Sequence, residues 1–277
     1  MAGETNGSRE PQGEIMRARA GLAMALALGI AILGAGMLTP PSGRAGLTST
    51  DEALRLLELA EERYAEVQDY TTILLARERV GGALTPEQAI LLKFGRPFSV
   101  YMRWMDGPSQ GREGIFVAGS WDDRFLVQEK QGVARFITAA ISPRHPRVFQ
   151  LGRHPVTDVG IGRLLQIIGE DARRAARNGV LTVLDRGVQS IAGRPVQVVE
   201  GILPADPSVG YYCHRVVLSF DFENRLPIRA VIYDWSDQLV EDYSYTQLRL
   251  NPGLTTRDFD PENPEYGFSR LRIPLPG

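Results

Sequence analysis

Short alternating runs joined by tight turns dominate this 277-residue chain and limit the folds open to it. Two blocks of five strands are predicted, at 70–80, 88–95, 97–105, 112–118 and 123–129, and at 180–188, 194–201, 212–221, 227–235 and 239–248. Links in the first block include Gly81-Gly82, Gly107-Pro108 and Asp122-Asp123, which are typical turn pairs. Because links this short join antiparallel neighbours, the pattern predicts an antiparallel sheet of about ten strands.

Two segments with helical spacing accompany the strands. Residues 49–67 begin with Ser49 and Thr50 as candidate N-caps and continue with one apolar stripe. A second helix is predicted from about Val159 to Arg177, closed by Asn178-Gly179. Each helix has one apolar side to cover, so we predict an α+β domain in which the N-terminal helix and the mid-chain helix cover a large curved antiparallel sheet.

The start of the chain indicates its compartment. Residues 1–19 form a polar head containing Arg17 and Arg19, and residues 20–38 carry no charge. Positive residues before an apolar run hold the N-terminus in the cytoplasm and direct the residues beyond the run across the membrane. The run can just span a bilayer as an anchor in the inner membrane, while the small residues before a possible cut after Ala45 fit a cleaved signal peptide. Both alternatives place the remaining chain in the periplasm or cell envelope.

Beyond the leader we expect one domain at 46–268 and an extended tail at 269–277. No cysteine follows the apolar run at its end, which excludes a bacterial lipoprotein anchor, and the single Cys213 excludes an intramolecular disulfide. The formal net charge is -2 and the 31 basic residues are spread along the chain, so we expect no nucleic-acid partner.

Candidate catalytic motifs are weak. Ser109 lies in a G-x-S-x-G match, but a strand follows where a nucleophile elbow requires a helix. Cys213 and His214 are neighbours on a predicted strand and would point to opposite faces, which prevents a thiol–imidazole pair. The acidic stretch 258–265 lacks the glycine of a calcium loop, and Gly160-Ile-Gly162 lacks the rest of a dinucleotide motif. We therefore expect no enzymatic activity, no cofactor and no metal.

Several strands carry large apolar groups on both faces, which is more informative than any motif. In the stretch 96–105 one face holds Phe98, Val100, Met102 and Trp104, while Tyr101 and Met105 lie on the other. The same two-sided pattern recurs in three other strands, with Ile73 and Leu75 against Leu74, Ile115 and Val117 against Phe116, and Val231, Tyr233 and Trp235 against Ile232. Such strands can line an apolar ligand cavity or can simply be packed on both sides, and the residues leave both interpretations open.

The order of elements, together with three stretches of sequence, resembles a known group of proteins. The stretches are DYTTILLARERV at 69–80, RPFSVYMRW with GREGIFVAG at 96–119, and YSYTQLRLNPGLTTRDFDPENPEYGF at 243–268. They resemble an uncharacterised bacterial, planctomycete-type domain family related to the periplasmic lipoprotein-carrier (LolA/LolB-like) superfamily. The resemblance implies an unclosed β-barrel whose concave apolar face is covered by helices, and binding of acyl chains or a lipid-linked partner without chemistry.

Three functional hypotheses are consistent with these observations. The first is a non-catalytic envelope protein that binds a lipid or an acylated protein in the half-barrel. The second is a sensor or scaffold domain that binds another envelope protein, and the least favoured is an esterase acting through Ser109. For the first hypothesis the expected ligand-binding residues are Phe98, Val100, Met102, Trp104, Ile115, Val117, Val231, Tyr233 and Trp235.

Overall fold

The computed structural model describes residues 46–47, 49–149 and 152–275. In these residues three helices lie at Thr50–Ala65 (α1), Pro146–Phe149 (α2) and Ile161–Arg177 (α3). The strands there are Gly46–Leu47 (β1), Asp69–Val80 (β2), Ala83–Leu84 (β3), Gln88–Gly95 (β4), Ser99–Trp104 (β5), Glu113–Val117 (β6), Phe125–Gln128 (β7), Thr138–Ile141 (β8), Thr182–Ile191 (β9), Arg194–Ile202 (β10), Arg215–Asp221 (β11), Pro227–Tyr233 (β12), Leu239–Leu250 (β13) and Arg272–Pro274 (β14). The predicted leader, residues 20–38, lies outside this part of the chain.

The strands form one open sheet in the order β1-β9-β10-β11-β12-β13-β2-β4-β5-β6-β7-β8-β14, with β3 added beside β2. All ten predicted strands are present, and every neighbouring pair on this path is antiparallel except β14 with β8. The two predicted blocks join through β13 and β2, where Tyr243 lies opposite Ala76 and Tyr245 opposite Leu74. The predicted α+β fold with a large curved sheet is confirmed.

The two long helices begin where the sequence predicts. Ser49 caps α1 with a full capping box, in which its side chain accepts from the Glu52 backbone and the Glu52 carboxylate accepts from the Ser49 backbone. Ala53, Leu57 and Ala60 form the buried side of α1. Helix α3 buries Ile161, Leu165 and Ile168 in the main core, so both helices cover apolar surface of the sheet.

Helices α1 and α3 approach each other closely because α3 presents glycine to α1. A Cβ atom at Gly162 would lie 2.3 Å from the Tyr64 ring, a distance that would force the helices apart. A double hydrogen bond between Arg173 and the Glu61 carboxylate, at 2.9 and 3.1 Å, joins the two helices further along, beside Gly169. The pair therefore covers the sheet as a single layer.

The chain after β13 contains little regular structure. It includes a short 3₁₀ helix at Thr256–Phe259 and then returns along the sheet to form β14. Four strands, β1, β3, β8 and β14, were not predicted from the sequence. Three of them, β1, β3 and β14, have only two or three residues, too few to establish a period. No helix in the described residues is long and apolar enough to cross a membrane.

Candidate functional site

A cavity of about 650 Å³ lies between the concave face of the sheet, α3 and the segment before α3. Its volume is typical of pockets for small ligands. The sheet side of the lining comes from β2, β4, β5, β7, β8, β12 and β13, and the apolar side chains there include Leu74, Ile90, Met102, Trp104, Phe125, Val127, Ile141, Ile232 and Tyr245. The cover contributes Val148, Val156, Val159, Leu164, Ile167 and Ile168. The cavity is therefore largely apolar on every side.

One end of the cavity is closed by aromatic rings. Tyr70 stacks on Phe94 with ring centroids 5.0 Å apart, Phe94 meets Phe98 edge-on at 5.5 Å, and Phe98 meets Phe116 at 5.8 Å. The Tyr70 hydroxyl accepts the backbone N–H of Ile161 at 3.3 Å, which fixes the start of α3 over this end. These rings fill the half-barrel where β2 and β5 begin.

The other end of the cavity is open. The lining residues there lie at the opposite ends of the same strands and in the turns beyond them, and the exposed ones are Pro86, Pro108, Ala134 and Arg147. Trp104 stands at this mouth with the Arg112 guanidinium 5.6 Å from its ring centroid, and Arg112 pairs with Glu129 at 2.8 Å. The polar side chains of Arg112 and Glu129 thus lie at the mouth of an apolar space.

The predicted ligand-binding residues of β5 divide between the two ends. Met102 and Trp104 line the cavity, whereas Phe98 and Val100 share their face but lie in the closed end, where Val100 is fully buried. The alternation of side chains along a strand shows which face of the sheet each residue occupies, but it does not show how far along the cavity that residue lies. The ligand-binding role of all four remains a prediction.

Ile115 and Val117 lie on the outer face of the sheet, which the C-terminal segment covers. Ile115 forms a cluster with Tyr101 and Phe259, and Tyr266 stacks on Tyr101 with centroids 4.0 Å apart. The second apolar face of β5 and β6 is therefore buried by residues more than 140 positions later in the chain. This accounts for the two-sided pattern on these strands without a ligand.

Val231 and Tyr233 also lie on the outer face, while Ile232 between them lines the cavity. Val231 borders a shallow groove with Val217 and Arg229, and the Arg215 guanidinium lies 3.5 Å from the centroid of the Tyr233 ring. Trp235 follows the end of β12, and its indole N–H is buried with no hydrogen-bond partner among the described residues. The structure does not bring these three residues together with Met102 and Trp104.

A polar cluster on the cavity wall was not anticipated from the sequence. Glu241 is 1% exposed and accepts hydrogen bonds from Arg153 Nε at 2.7 Å and from the Tyr212 hydroxyl at 2.7 Å. His154 Nε2 lies 3.0 Å from the same carboxylate. Glu78 accepts from the Arg153 backbone N–H at 2.7 Å and from the Tyr243 hydroxyl. These bonds hold the segment before α3 against β2 and β13, and the only sequence signal was a carboxylate at an inward position of a strand.

The cluster shifts the pKa values of its members in opposite directions. Burial alone would raise the pKa of Glu241. The hydrogen bond and positive charge of His154, together with hydrogen bonds from Tyr212 and Arg153, hold this pKa below its ordinary value. Burial would lower the pKa of His154, yet the bond to the Glu241 carboxylate raises it. Burial beside that same carboxylate raises the pKa of the Tyr212 hydroxyl, which therefore stays protonated and donates a hydrogen bond to Glu241.

The remaining motifs occupy structural positions. Ser109 is at the cavity mouth in the turn between β5 and β6, so a strand follows it as the sequence predicts. Cys213 is buried in the main core, and His214 Nδ1 lies 2.6 Å from the Leu203 carbonyl oxygen. Asp258 of the acidic stretch pairs with Lys93 at 2.8 Å. Within the described residues, no group of three or more His, Cys, Asp or Glu side chains is arranged to hold a metal ion.

Comparison with solved structures finds similar folds at low identity. The lipoprotein LppX of Mycobacterium tuberculosis is 14% identical over 76% of this chain and 100% of that chain, with a TM-score of 0.48. MucB is 16% identical over 78% of this chain, with a TM-score of 0.47. This match covers 64% of the MucB chain, which is less than two thirds of its length. A domain described as outer-membrane lipoprotein-sorting, from Vibrio parahaemolyticus, is 14% identical over 74% and 95%, with a TM-score of 0.34.

Sequence comparison is more specific. No curated protein sequence matches the chain. Residues 67–268 match the model of the family described as "Protein of unknown function (DUF1571)". This match covers most of the chain and every strand from β2 to β13. The protein therefore belongs to the DUF1571 family, which confirms the family predicted from the sequence.

Proposed function

We propose that this protein is a non-catalytic component of the cell envelope that binds the acyl chain of a lipid or of an acylated protein. The observation that carries the proposal is the apolar cavity of about 650 Å³, closed at one end by aromatic rings and open at the other. A ligand in such a space must be long enough to reach inward and apolar enough to be stable there.

The distribution of polarity supports an amphiphilic ligand with a defined orientation. The closed end presents aromatic and aliphatic groups, while Gln88, Ser109, Arg112 and Glu129 lie at the mouth. An acyl chain would therefore extend toward Met102 and Phe125, and its polar head would remain among the groups at the mouth. Apolar pockets with a few placed polar groups bind ligands in this manner.

Burial of an acyl chain in the cavity would supply the main driving force for binding. Burial of one methylene group contributes about 0.8 kcal/mol, so ten buried methylenes contribute about 8 kcal/mol before the costs of association. The envelope location rests on a separate argument, because Arg17 and Arg19 before the uncharged run at 20–38 are typical of an export signal or anchor.

Photo-cross-linking in cells tests the proposal. Cells that express the full chain are grown with a fatty acid bearing a diazirine and an alkyne, irradiated, and the modified peptides are identified by mass spectrometry. We expect cross-links at cavity residues such as Met102 and Ile232, recorded separately from any at residues 20–38. Cross-links confined to the leader or to the outer face would overturn the proposal.

A matched pair of variants makes the test specific. Val127 lines the cavity, and Val217 is a half-buried valine on the outer face. The substitution Val127→Trp fills part of the cavity and should reduce cross-linking severalfold, whereas Val217→Trp should leave it unchanged. If the chain instead purifies free of lipid with a stable protein partner, the sensor or scaffold function replaces lipid binding.

A further inference from the structure

Large apolar side chains are exposed on one surface beside the cavity mouth. Val133 is 84% exposed, Phe136 59% and Leu271 57%, and Ile273 on β14 is also exposed. Single exposed apolar residues are common on soluble proteins, but a group of them marks an interaction surface.

Backbone pairing makes these residues one surface. The Thr138 backbone N–H donates to the Leu271 carbonyl oxygen at 2.9 Å, and the Ser269 hydroxyl donates to the Phe136 carbonyl oxygen at 2.7 Å. Strand β14 then runs parallel to β8. The C-terminal segment therefore lies directly beside the loop that carries Val133 and Phe136.

The surface is also basic. Residues 130–157 and 269–277 contain no Asp or Glu. Arg135, Arg144, Arg147 and Arg270 form no ion pair with any residue in the described part of the chain. The Arg135 guanidinium lies 4.5 Å from the centroid of the Phe136 ring, so charge and apolar surface are intermixed.

This surface continues into the cavity. Ala134, Ile137, Arg147 and Leu275 all line the cavity mouth. We use the term basic rim for the surface formed by Val133, Arg135, Phe136, Arg147, Arg270 and Leu271. A molecule that rests on the basic rim would stand at the entrance to the cavity.

We propose that the basic rim docks onto the surface of a bilayer that contains anionic lipid. Arginines without carboxylate partners match lipid phosphates, and the apolar side chains between them can enter the boundary between headgroups and acyl chains. An acidic protein could satisfy the arginines, but a bilayer satisfies the charged and the apolar groups across the whole rim. The inference concerns the outside of the molecule and stands whether or not the cavity binds a lipid.

A fluorescent probe on the rim of the full chain tests the inference. Cys213 is 2% exposed and burial raises its pKa to about 12, so a new surface cysteine can be labelled selectively. The variant Val133→Cys carries an environment-sensitive dye on the rim, and Val188→Cys, at a valine that is 63% exposed on β9, is the control. Because the dye responds locally, contact of residues 20–38 with the vesicle does not produce the signal.

We expect the dye at position 133, and not the dye at position 188, to shift to the blue with vesicles of phosphatidylglycerol. Phosphatidylcholine vesicles should give a much smaller change. The charge reversals Arg135→Glu and Arg270→Glu together should raise the lipid concentration at half-maximal shift by roughly tenfold or more, while Arg249→Glu on exposed β13 surface should not.

Three outcomes would overturn the inference. The dye at position 133 could fail to respond to phosphatidylglycerol, or both positions could respond equally. A blue shift at position 133 that grows with protein concentration in the absence of vesicles would mean that a second copy of the chain covers the rim instead.

Discussion

The buried carboxylate of Glu241 carries a negative charge beside an apolar cavity, and its hydrogen-bond partners determine the pH range in which it stabilises the fold. Its carboxylate is bound by Arg153, His154 and Tyr212. Removal of a charge from water is unfavourable unless partners replace the lost hydration, and here a guanidinium, an imidazole and a hydroxyl do so. The cluster also attaches the segment before α3 to β13, so its protonation state affects how firmly the cavity is covered.

The free energy of unfolding should depend on pH through the paired side chains of His154 and Glu241. The folded pKa of His154 is raised above its ordinary value of 6.5, so its contribution is complete below about pH 6.5 and is lost as the pH rises through the folded pKa. The folded pKa of Glu241 is lowered below its ordinary 4.5, so its contribution is complete above about pH 4.5 and is lost as the pH falls through the folded pKa. Both contributions are present together between these values.

Thermal unfolding from pH 4 to pH 9 measures this dependence, with His154→Gln as the comparison. Glutamine can still donate a hydrogen bond but does not titrate in this range. The wild type should lose stability relative to His154→Gln as the solution becomes alkaline. Parallel profiles for the two proteins above pH 6 would show that the pair does not contribute.

At the scale of elements, the C-terminal segment acts as a second cover on the outer face of β5 and β6. Phe259 and Tyr266 pack on Tyr101, and the buried carboxylate of Glu113 accepts from the Gly267 backbone N–H at 2.7 Å. The two lysines of the chain, Lys93 and Lys130, both support this contact, since Lys93 pairs with Asp258 at 2.8 Å and Lys130 lies 3.4 Å from Glu113.

We therefore expect Phe259→Ala to lower the free energy of unfolding by about 3 kcal/mol, the usual loss when a buried phenylalanine is truncated. Phe222→Ala is the matched control, because Phe222 is 52% exposed, and its effect should be below about 0.5 kcal/mol. Urea denaturation of both variants gives the comparison. Equal losses would mean that the C-terminal segment is not part of the cooperative core.

At the scale of the whole molecule, the cavity is built from parts of the chain that are far apart in sequence. The first block of strands contributes Met102 and Phe125, the second contributes Ile232 and Tyr245, and α3 contributes Leu164. The two blocks meet where β2 pairs with β13, supported by the Thr72 hydroxyl, which donates to the Thr246 carbonyl oxygen at 2.7 Å. A ligand in the cavity would contact all of these parts at once.

Removal of the ligand should therefore destabilise the whole fold in one transition. A ligand at one hundred times its Kd stabilises the folded state by about 2.7 kcal/mol. Delipidated protein should regain stability when a long-chain fatty acid is added, and Val127→Trp should show a much smaller gain. An unchanged Tm for the wild type across the titration would count against the proposed ligand.

Local pattern was enough to predict the two long helices, ten of the strands and the curved sheet. Ser49 caps α1 as predicted, and turn pairs such as Gly107-Pro108 separate antiparallel strands. These features depend on neighbours within a few residues, which is the range over which periodicity and capping act. Pattern also identified Phe98, Val100, Met102 and Trp104 as one face of β5, because side chains alternate along any strand.

Only the tertiary structure decided what each face meets. The outer face of β5 is covered by Tyr266, its inner face is divided between the closed end at Phe98 and the cavity mouth at Trp104, and β14 brings the acid-free tail beside the acid-free loop at Val133. The periodicity of a sequence does not show which distant segment packs on a strand. That packing depends on the burial of apolar surface summed over the whole chain. The cavity and the basic rim are both products of those long-range pairings.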